Sequence, residues 1–129
     1  MGLDGGTSSF YKLNHMVHYQ AGLDTAFGAI SDATRRGILE RLGRGNASIG
    51  DLARAFDMTL TGMKKHVRVL EDARLVTTRK VGRTRLCGLG PRRLEGESAW
   101  IAKYQRMVEE RMQRLDAVLE REMQKGDRR

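Results

Sequence analysis

Thr59, Thr61, Lys64, Lys65, His66 and Arg68 fall within ten residues of one another, and Arg79, Lys80, Arg83 and Arg85 follow closely behind. Hydroxyls and free backbone N–H groups at a helix start suit a phosphate. Lysine and arginine neutralise phosphates, and a bidentate cation on guanine O6 and N7 adds about 1–3 kcal/mol of discrimination. Lys65 and Arg68 are the candidates for guanine, and Arg83 is the candidate for minor-groove insertion. Thr59 has a second role open to it, as a plain helix cap. For His66, phosphate contact and helix packing are both open. Any one of the cations has the plainer alternative of solvating its own helix. Arg35 and Arg36 open an earlier helix, where one of them is expected to meet a phosphate or an acidic partner.

The elements that must position these residues are written around them. Residues 47–76, ASIGDLARAFDMTLTGMKKHVRVLEDARLV, read as a short helix, a tight turn and a longer basic helix. That is the layout of a helix-turn-helix. Ser48 and Asp51 make a capping-box-like start, with Leu52, Ala55 and Phe56 as the apolar face. Asp57 and Met58 form the turn. Thr59 caps a helix over about 60–73, whose Met63, Val67 and Leu70 recur at core spacing. Thr61, Lys64, Lys65 and Arg68 are left on the opposite face. Leu75 to Thr78 and Arg85 to Leu89 then read as strands around the turn Val81-Gly82-Arg83-Thr84, a basic hairpin that Pro91 closes. Period-two alternation would let Arg79, Arg83 and Arg85 share a face, although the turn breaks strict counting.

Upstream, LDTAFGAI (23–30) reads as a helix with Asp24 as a candidate N-cap and Leu23, Phe27 and Ile30 on one face. Asp32 caps ATRRGILERL, with Ile38, Leu39 and Leu42 as its core stripe and Gly43 or Gly45 as its end. Downstream, about 96–124 read as one long helix. Its stripe is Trp100, Ile101, Tyr104, Met107, Val108, Met112, Leu115, Val118 and Leu119. Such a helix is about 40 Å long, against about 30 Å for a compact domain of this size. Part of the stripe needs a partner, and the simplest is the same helix in a two-fold homodimer. Phe27, Trp100, Ile101, Tyr104, Met107, Val108, Met112 and Leu115 are the expected interface. Residues 1–15 read as a flexible N-terminal tail or leader, 16–124 as the folded domain and 125–129 as a basic tail.

Charge concentrates where the candidate residues lie. The chain of 129 residues carries a net charge of +8. Residues 34–93 hold fifteen Lys/Arg against five Asp/Glu, while residues 94–129 hold eight of each. A basic surface confined to one module points to phosphate neutralisation. No apolar run approaches the roughly 20 residues a membrane helix needs, so the expected location is the cytoplasm and no membrane partner is expected. Cys87 is the single cysteine, which excludes an intrachain disulfide and a cysteine-cluster metal site. It reads as a small apolar strand residue. His15 and His18 have no third metal ligand nearby. The chain has no Ser/His/Asp set and no Gly-rich phosphate loop, so an enzyme is not expected and no cofactor is implied.

Taken in order, LDTAFGAISDATRRGILERL, KKHVRVLEDARLV and RKVGRTRL resemble the ArsR/SmtB-type winged-helix transcriptional regulators over roughly residues 16–124. WIAKYQRMVEERMQRLDAVLE looks like a branch of that family without a metal site. The resemblance implies a mainly α fold with a small β-hairpin wing, about five helices and a long C-terminal dimerisation helix. It implies a homodimer that binds double-stranded DNA at a pseudo-palindromic operator, usually as a repressor, and leaves when an effector binds. Metal-sensing members carry a Cys-x-Cys pair in the third helix or Asp/His/Glu sets in the last. Here the third helix has no Cys and the last has no His. Three departures stand out: Ala33 where the family commonly has Pro, Arg74 where it has Gly, and Lys64 where it often has Ser. The alternative is a protein-interaction module that keeps the winged-helix fold without DNA binding.

Overall fold

The structure, a computed structural model, describes residues 21–127. The expected tail at 1–15, together with His15 and His18, lies outside them. The chain divides into two units at Leu94–Glu95. The first holds helices α1 (21–30), α2 (Ala33–Leu42), α3 (Ile49–Ala55) and α4 (Leu60–Asp72) with strands β1 (Ala47–Ser48), β2 (Val76–Val81) and β3 (Thr84–Leu89). The second is a single helix, α5 (Glu95–Asp127). The fold class is the expected one: mainly α, five helices and a small β wing.

Helices α2 and α3 start where their capping side chains dictate. Asp32 caps α2 by accepting the Arg35 N–H at 3.1 Å. Ser48 caps α3 by accepting the Asp51 N–H at 3.0 Å. Asp24 is no cap, because helical hydrogen bonding is already under way at 21 and Asp24 lies exposed inside α1. In α3 the buried residues are Ile49, Leu52 and Ala53, with Phe56 packed behind them. Ala55 is exposed, since the helical spacing 49, 52, 53, 56 leaves it on the far side.

Both helices of the helix-turn-helix close with the same paired hydrogen bonds around a left-handed residue. After α3, Asp57 takes φ 51°, its N–H donates to Arg54 O at 3.2 Å and Met58 N–H to Ala53 O at 2.9 Å. After α4, Arg74 takes φ 62°, its N–H donates to Glu71 O at 2.9 Å and Leu75 N–H to Leu70 O at 3.0 Å. This is the ending glycine usually serves. Asp tolerates it with its short polar side chain, whereas Arg74 bears the strain.

The sheet has three antiparallel strands in the order β1-β3-β2, one more than the expected hairpin. β1 is two residues long and pairs Ala47 with Cys87 and Ser48 with Leu86. Cys87 therefore sits in the central strand, fully buried. The hairpin register pairs Lys80 with Arg85 and Arg79 with Leu86. Cross-strand partners share a face, so Arg85 lies with Lys80 and opposite to Arg79. The expectation that Arg79 and Arg85 share a face is thus corrected: a two-residue turn, Gly82-Arg83, sets the register. Gly82 supplies the positive φ of that turn, +64°.

The core of this unit gathers Ile38, Leu52, Met63, Leu70, Val76 and Cys87, all essentially inaccessible. The chain leaves the sheet through Gly90, whose N–H donates to Leu75 O at 2.8 Å. A Cβ at Gly90 would stand 2.3 Å from the Arg74 carbonyl oxygen, so only glycine fits there. Arg92 then donates to Gly22 O of α1 at 3.3 Å.

Helix α5 runs 33 residues, about 50 Å. It extends past both expected ends, and residues 125–127 of the expected basic tail are helical. A Glu122–Lys125 pair at 3.8 Å supports that last turn. Trp100, Ile101, Tyr104, Met107, Val108, Met112, Leu115, Val118 and Leu119 are each close to half-exposed in the single chain. Trp100 and Tyr104 stack with ring centroids 5.8 Å apart. No helix among the described residues is long and apolar enough to cross a membrane.

Two outcomes follow. Arg74→Gly relieves about 1–2 kcal/mol of left-handed strain and costs about 0.5–1 kcal/mol of chain entropy, so it stabilises by about 0.5–1 kcal/mol. The urea midpoint should rise at constant slope, and a fall would mean the Arg74 side chain contributes more than the strain. The Asp32 carboxyl is held below its ordinary 3.8, chiefly by the Arg35 N–H. The unfolded chain then takes up this proton first, so the stabilisation is present above that value and lost as pH falls through the folded one. Asp32→Asn keeps the cap and removes this contribution. Its stability should fall less than that of the parent between about pH 5 and pH 3. Equal acid slopes would contradict the assignment.

Candidate nucleic-acid interface

Helix α4 is oriented by its own apolar edge. Met63, Val67 and Leu70 are buried, and Thr59 holds the first turn by accepting the Gly62 N–H at 3.1 Å. With those three residues inward, Thr61, Lys64, Lys65 and Arg68 are all exposed. The four residues expected on the outward face are therefore together on it. Leu60 is also exposed at the head of the helix.

The wing completes this surface. Arg79, Lys80, Arg83 and Arg85 are exposed on β2, β3 and the turn between them. The sheet brings the wing tip back toward the helix-turn-helix: one groove is lined by Gly50 and Arg54 of α3, Leu60 and Lys64 of α4, and Arg83, Thr84 and Arg85 of the wing. Ser48 and Ile49 complete its lining, and four of the nine residues are cations. Arg79 and Lys80 lie outside the groove, and Arg79 instead lines a separate hollow with Asn46 and Thr77. Arg54 is an addition to the expected set, because α3 reads from sequence as a supporting helix. Its spacing from Asp51 is the signal that was there to find, an i, i+3 pair on an exposed face.

The Arg54 guanidinium is ion-paired with Asp51. That hydrogen bond is the main reason the Asp51 carboxyl sits below its ordinary range, with Ser48 adding a second donor. Glu71 accepts from the Thr78 hydroxyl at 2.5 Å, fastening the end of α4 to β2. Burial pushes the Cys87 thiol up, with the Glu71 charge adding to it, so at neutral pH the side chain is an apolar thiol rather than a thiolate.

Arg35 and Arg36 reach back toward α1. Arg35 donates to Ala29 O at 2.7 Å and Gly28 O at 3.0 Å, and Arg36 donates to Ile30 O at 2.8 Å. Both arginines donate to the last carbonyls of α1, which lie at the negative end of the helix dipole. Arg35 also lies 3.3 Å from His66 Nδ1 on the half-buried flank of α4. Phe27 is partly buried on α1, whose buried positions are Leu23, Ala26 and Ala29.

Comparison with known proteins gives this arrangement a family. Residues 30–79, from the end of α1 into β2, match a family described as a helix-turn-helix domain. The HTH-type transcriptional regulator Rv2034 of Mycobacterium tuberculosis is 41% identical over 68 residues, 53% of this chain. That match spans 64% of the relative's length. The transcriptional repressor SdpR of Bacillus subtilis is 28% identical over 82 residues, covering 64% of this chain and 91% of the relative. Among solved structures, the crystal structure of an ArsR family transcriptional regulator superposes with a TM-score of 0.64 at 39% identity. It covers 70% of this chain and 93% of that one. The outward basic helix, the wing folded beside it and this likeness across nearly the whole of that regulator agree: the chain belongs to the ArsR family of transcriptional regulators.

Proposed function

We propose that this protein is a sequence-specific transcriptional regulator that binds a pseudo-palindromic operator as a homodimer, acting as a repressor. The observation that carries the reading is the shared basic surface: Thr61, Lys64, Lys65 and Arg68 exposed along α4, with Lys64, Arg54, Arg83 and Arg85 lining one groove. A helix with a buried apolar edge and an outward basic face fits the major groove, which is wide enough to admit it. In this reading residues 59–73 enter the major groove and residues 76–89 follow the adjacent backbone into the minor groove. Lys65 and Arg68 contact bases. Thr59, Thr61 and Lys64 contact phosphates near the helix start, and Arg83 at the wing tip reaches the minor groove. Repression is supported by the description of the Bacillus subtilis relative as a repressor.

Self-association is supported by α5. Nine large apolar residues along one helix are each about half-exposed, and such a run of exposed apolar side chains marks an interaction surface. A two-fold axis lets one such stripe cover another copy of itself, and two copies of a DNA-reading helix then address two half-sites. Phe27, Trp100, Ile101, Tyr104, Met107, Val108, Met112 and Leu115 are the residues proposed for that interface.

Both halves of the proposal are measurable. Arg68→Ala and Arg83→Ala should each cost about 1–3 kcal/mol of affinity for a duplex selected from a random pool, with melting temperature unchanged. Fluorescence anisotropy reads this directly, and unchanged affinity in both variants would defeat the docking. The dependence of log affinity on log salt should be steep, shallower by about one unit for each phosphate contact removed. Trp100→Glu combined with Met107→Glu should convert dimers to monomers by light scattering. A persistent dimer would move the interface away from α5.

A further inference from the structure

Arg35 belongs to α2, yet its guanidinium joins two other helices. Nε and Nη2 are committed to the Ala29 and Gly28 carbonyls at the end of α1, and Nη1 lies 3.3 Å from His66 Nδ1 on α4. Arginine has five donors and no acceptor, so Nδ1 is the accepting nitrogen and the neutral ring carries its hydrogen on Nε2. Nε2 itself makes no hydrogen bond among the described residues and is not buried. The two carbonyls fix where the guanidinium stands, and the guanidinium fixes the imidazole. The ring sits on the half-buried flank of α4, between the buried Met63 and Val67 row and the outward Lys65.

We propose that Arg35 is a positioning residue for duplex binding, acting through His66, and that it presents His66 as a one-sided donor whose Nε2–H meets a backbone phosphate oxygen. The proposal rests on reading α4 as the DNA-contacting helix. With Nδ1 occupied, the ring has no lone pair to offer and cannot accept from the amino groups of adenine or cytosine. Phosphate oxygens are acceptors only, which matches a ring that only donates. The flank of a helix lying in the major groove faces the groove wall, where the backbone runs, and this favours phosphate over a base edge. The bond also ties the end of α1 to α4, so the ring is held before DNA arrives.

The test is a double-mutant cycle in the full-length protein, using anisotropy on one selected duplex and one unrelated duplex. Arg35→Gln and His66→Phe should each weaken binding about three- to tenfold on both duplexes. The double variant should be no weaker than His66→Phe alone. His66→Gln, whose side-chain amide can stand in for Nε2–H, should bind close to the parent. In side-chain 15N spectra, added duplex should move the His66 Nε2 resonance and leave Nδ1 in place. Additive losses in the cycle, a Nε2 resonance that ignores DNA, or a loss confined to the selected duplex would each overturn the proposal. Should Arg35→Gln fail to fold, His66→Phe and the spectra of the parent protein still decide. A parent protein that binds neither duplex defeats the regulator reading itself, an outcome distinct from an additive cycle.

Discussion

The burial of one edge of α4 is the constraint on which the rest depends. Met63, Val67 and Leu70 are all but removed from water, and fully burying such side chains contributes about 1.5–3 kcal/mol each. Rolling the helix by one position would expose that row and bring Lys64 or Arg68 toward the core, where an unpaired charge is costly. The helix has one acceptable rotation. Its polar face points outward as a consequence of what the apolar face requires. The basic surface is thus held by the core, without any contact among the cations themselves.

That rotation is passed on to the wing by backbone as well as by the Glu71–Thr78 side-chain bond. Arg74 turns the chain left-handed at the end of α4, and Leu75 carries it into β2 with its carbonyl accepting from Gly90. The chain leaving β3 thereby returns against the chain entering β2, with no room for a side chain at Gly90. β1 adds the remaining tie, pairing the residues just before α3 with the middle of β3. The helix-turn-helix and the wing are therefore one sheet-linked body, and Arg54, Lys64, Arg83 and Arg85 share a groove although 31 residues separate the first from the last.

Much of this was legible in the sequence, for physical reasons. Asp32, Ser48 and Thr59 are capping residues that act on their own N–H neighbours, so local spacing is enough to find them. The 63, 67, 70 repeat gives the buried edge of α4, and with it the exposed face, from periodicity alone. What the sequence hid is what depends on distance. β1 is two residues long, too short for alternation to register, and it exists because Cys87 of β3 offers it a partner. The faces of Arg79 and Arg85 follow from a two-residue turn, which counting along the strands does not supply. One of Arg35 and Arg36 reads as a phosphate or acidic-partner contact at the head of α2, but both reach back to carbonyls at the end of α1, a contact that spacing along α2 does not supply. Arg54 joins the surface only because the wing folds back beside it.

One face of the first unit, and not the charge-balanced helix α5, is the surface proposed to meet DNA. The most direct measurement is lysine modification read by mass spectrometry, with and without a duplex the protein binds. Lys64, Lys65 and Lys80 lie on α4 and the wing, while Lys103 and Lys125 lie on α5. The account predicts that duplex shields Lys64, Lys65 and Lys80 and leaves Lys103 and Lys125 as reactive as in the free protein. Shielding of Lys103 and Lys125 with Lys64 and Lys65 still reactive would contradict it.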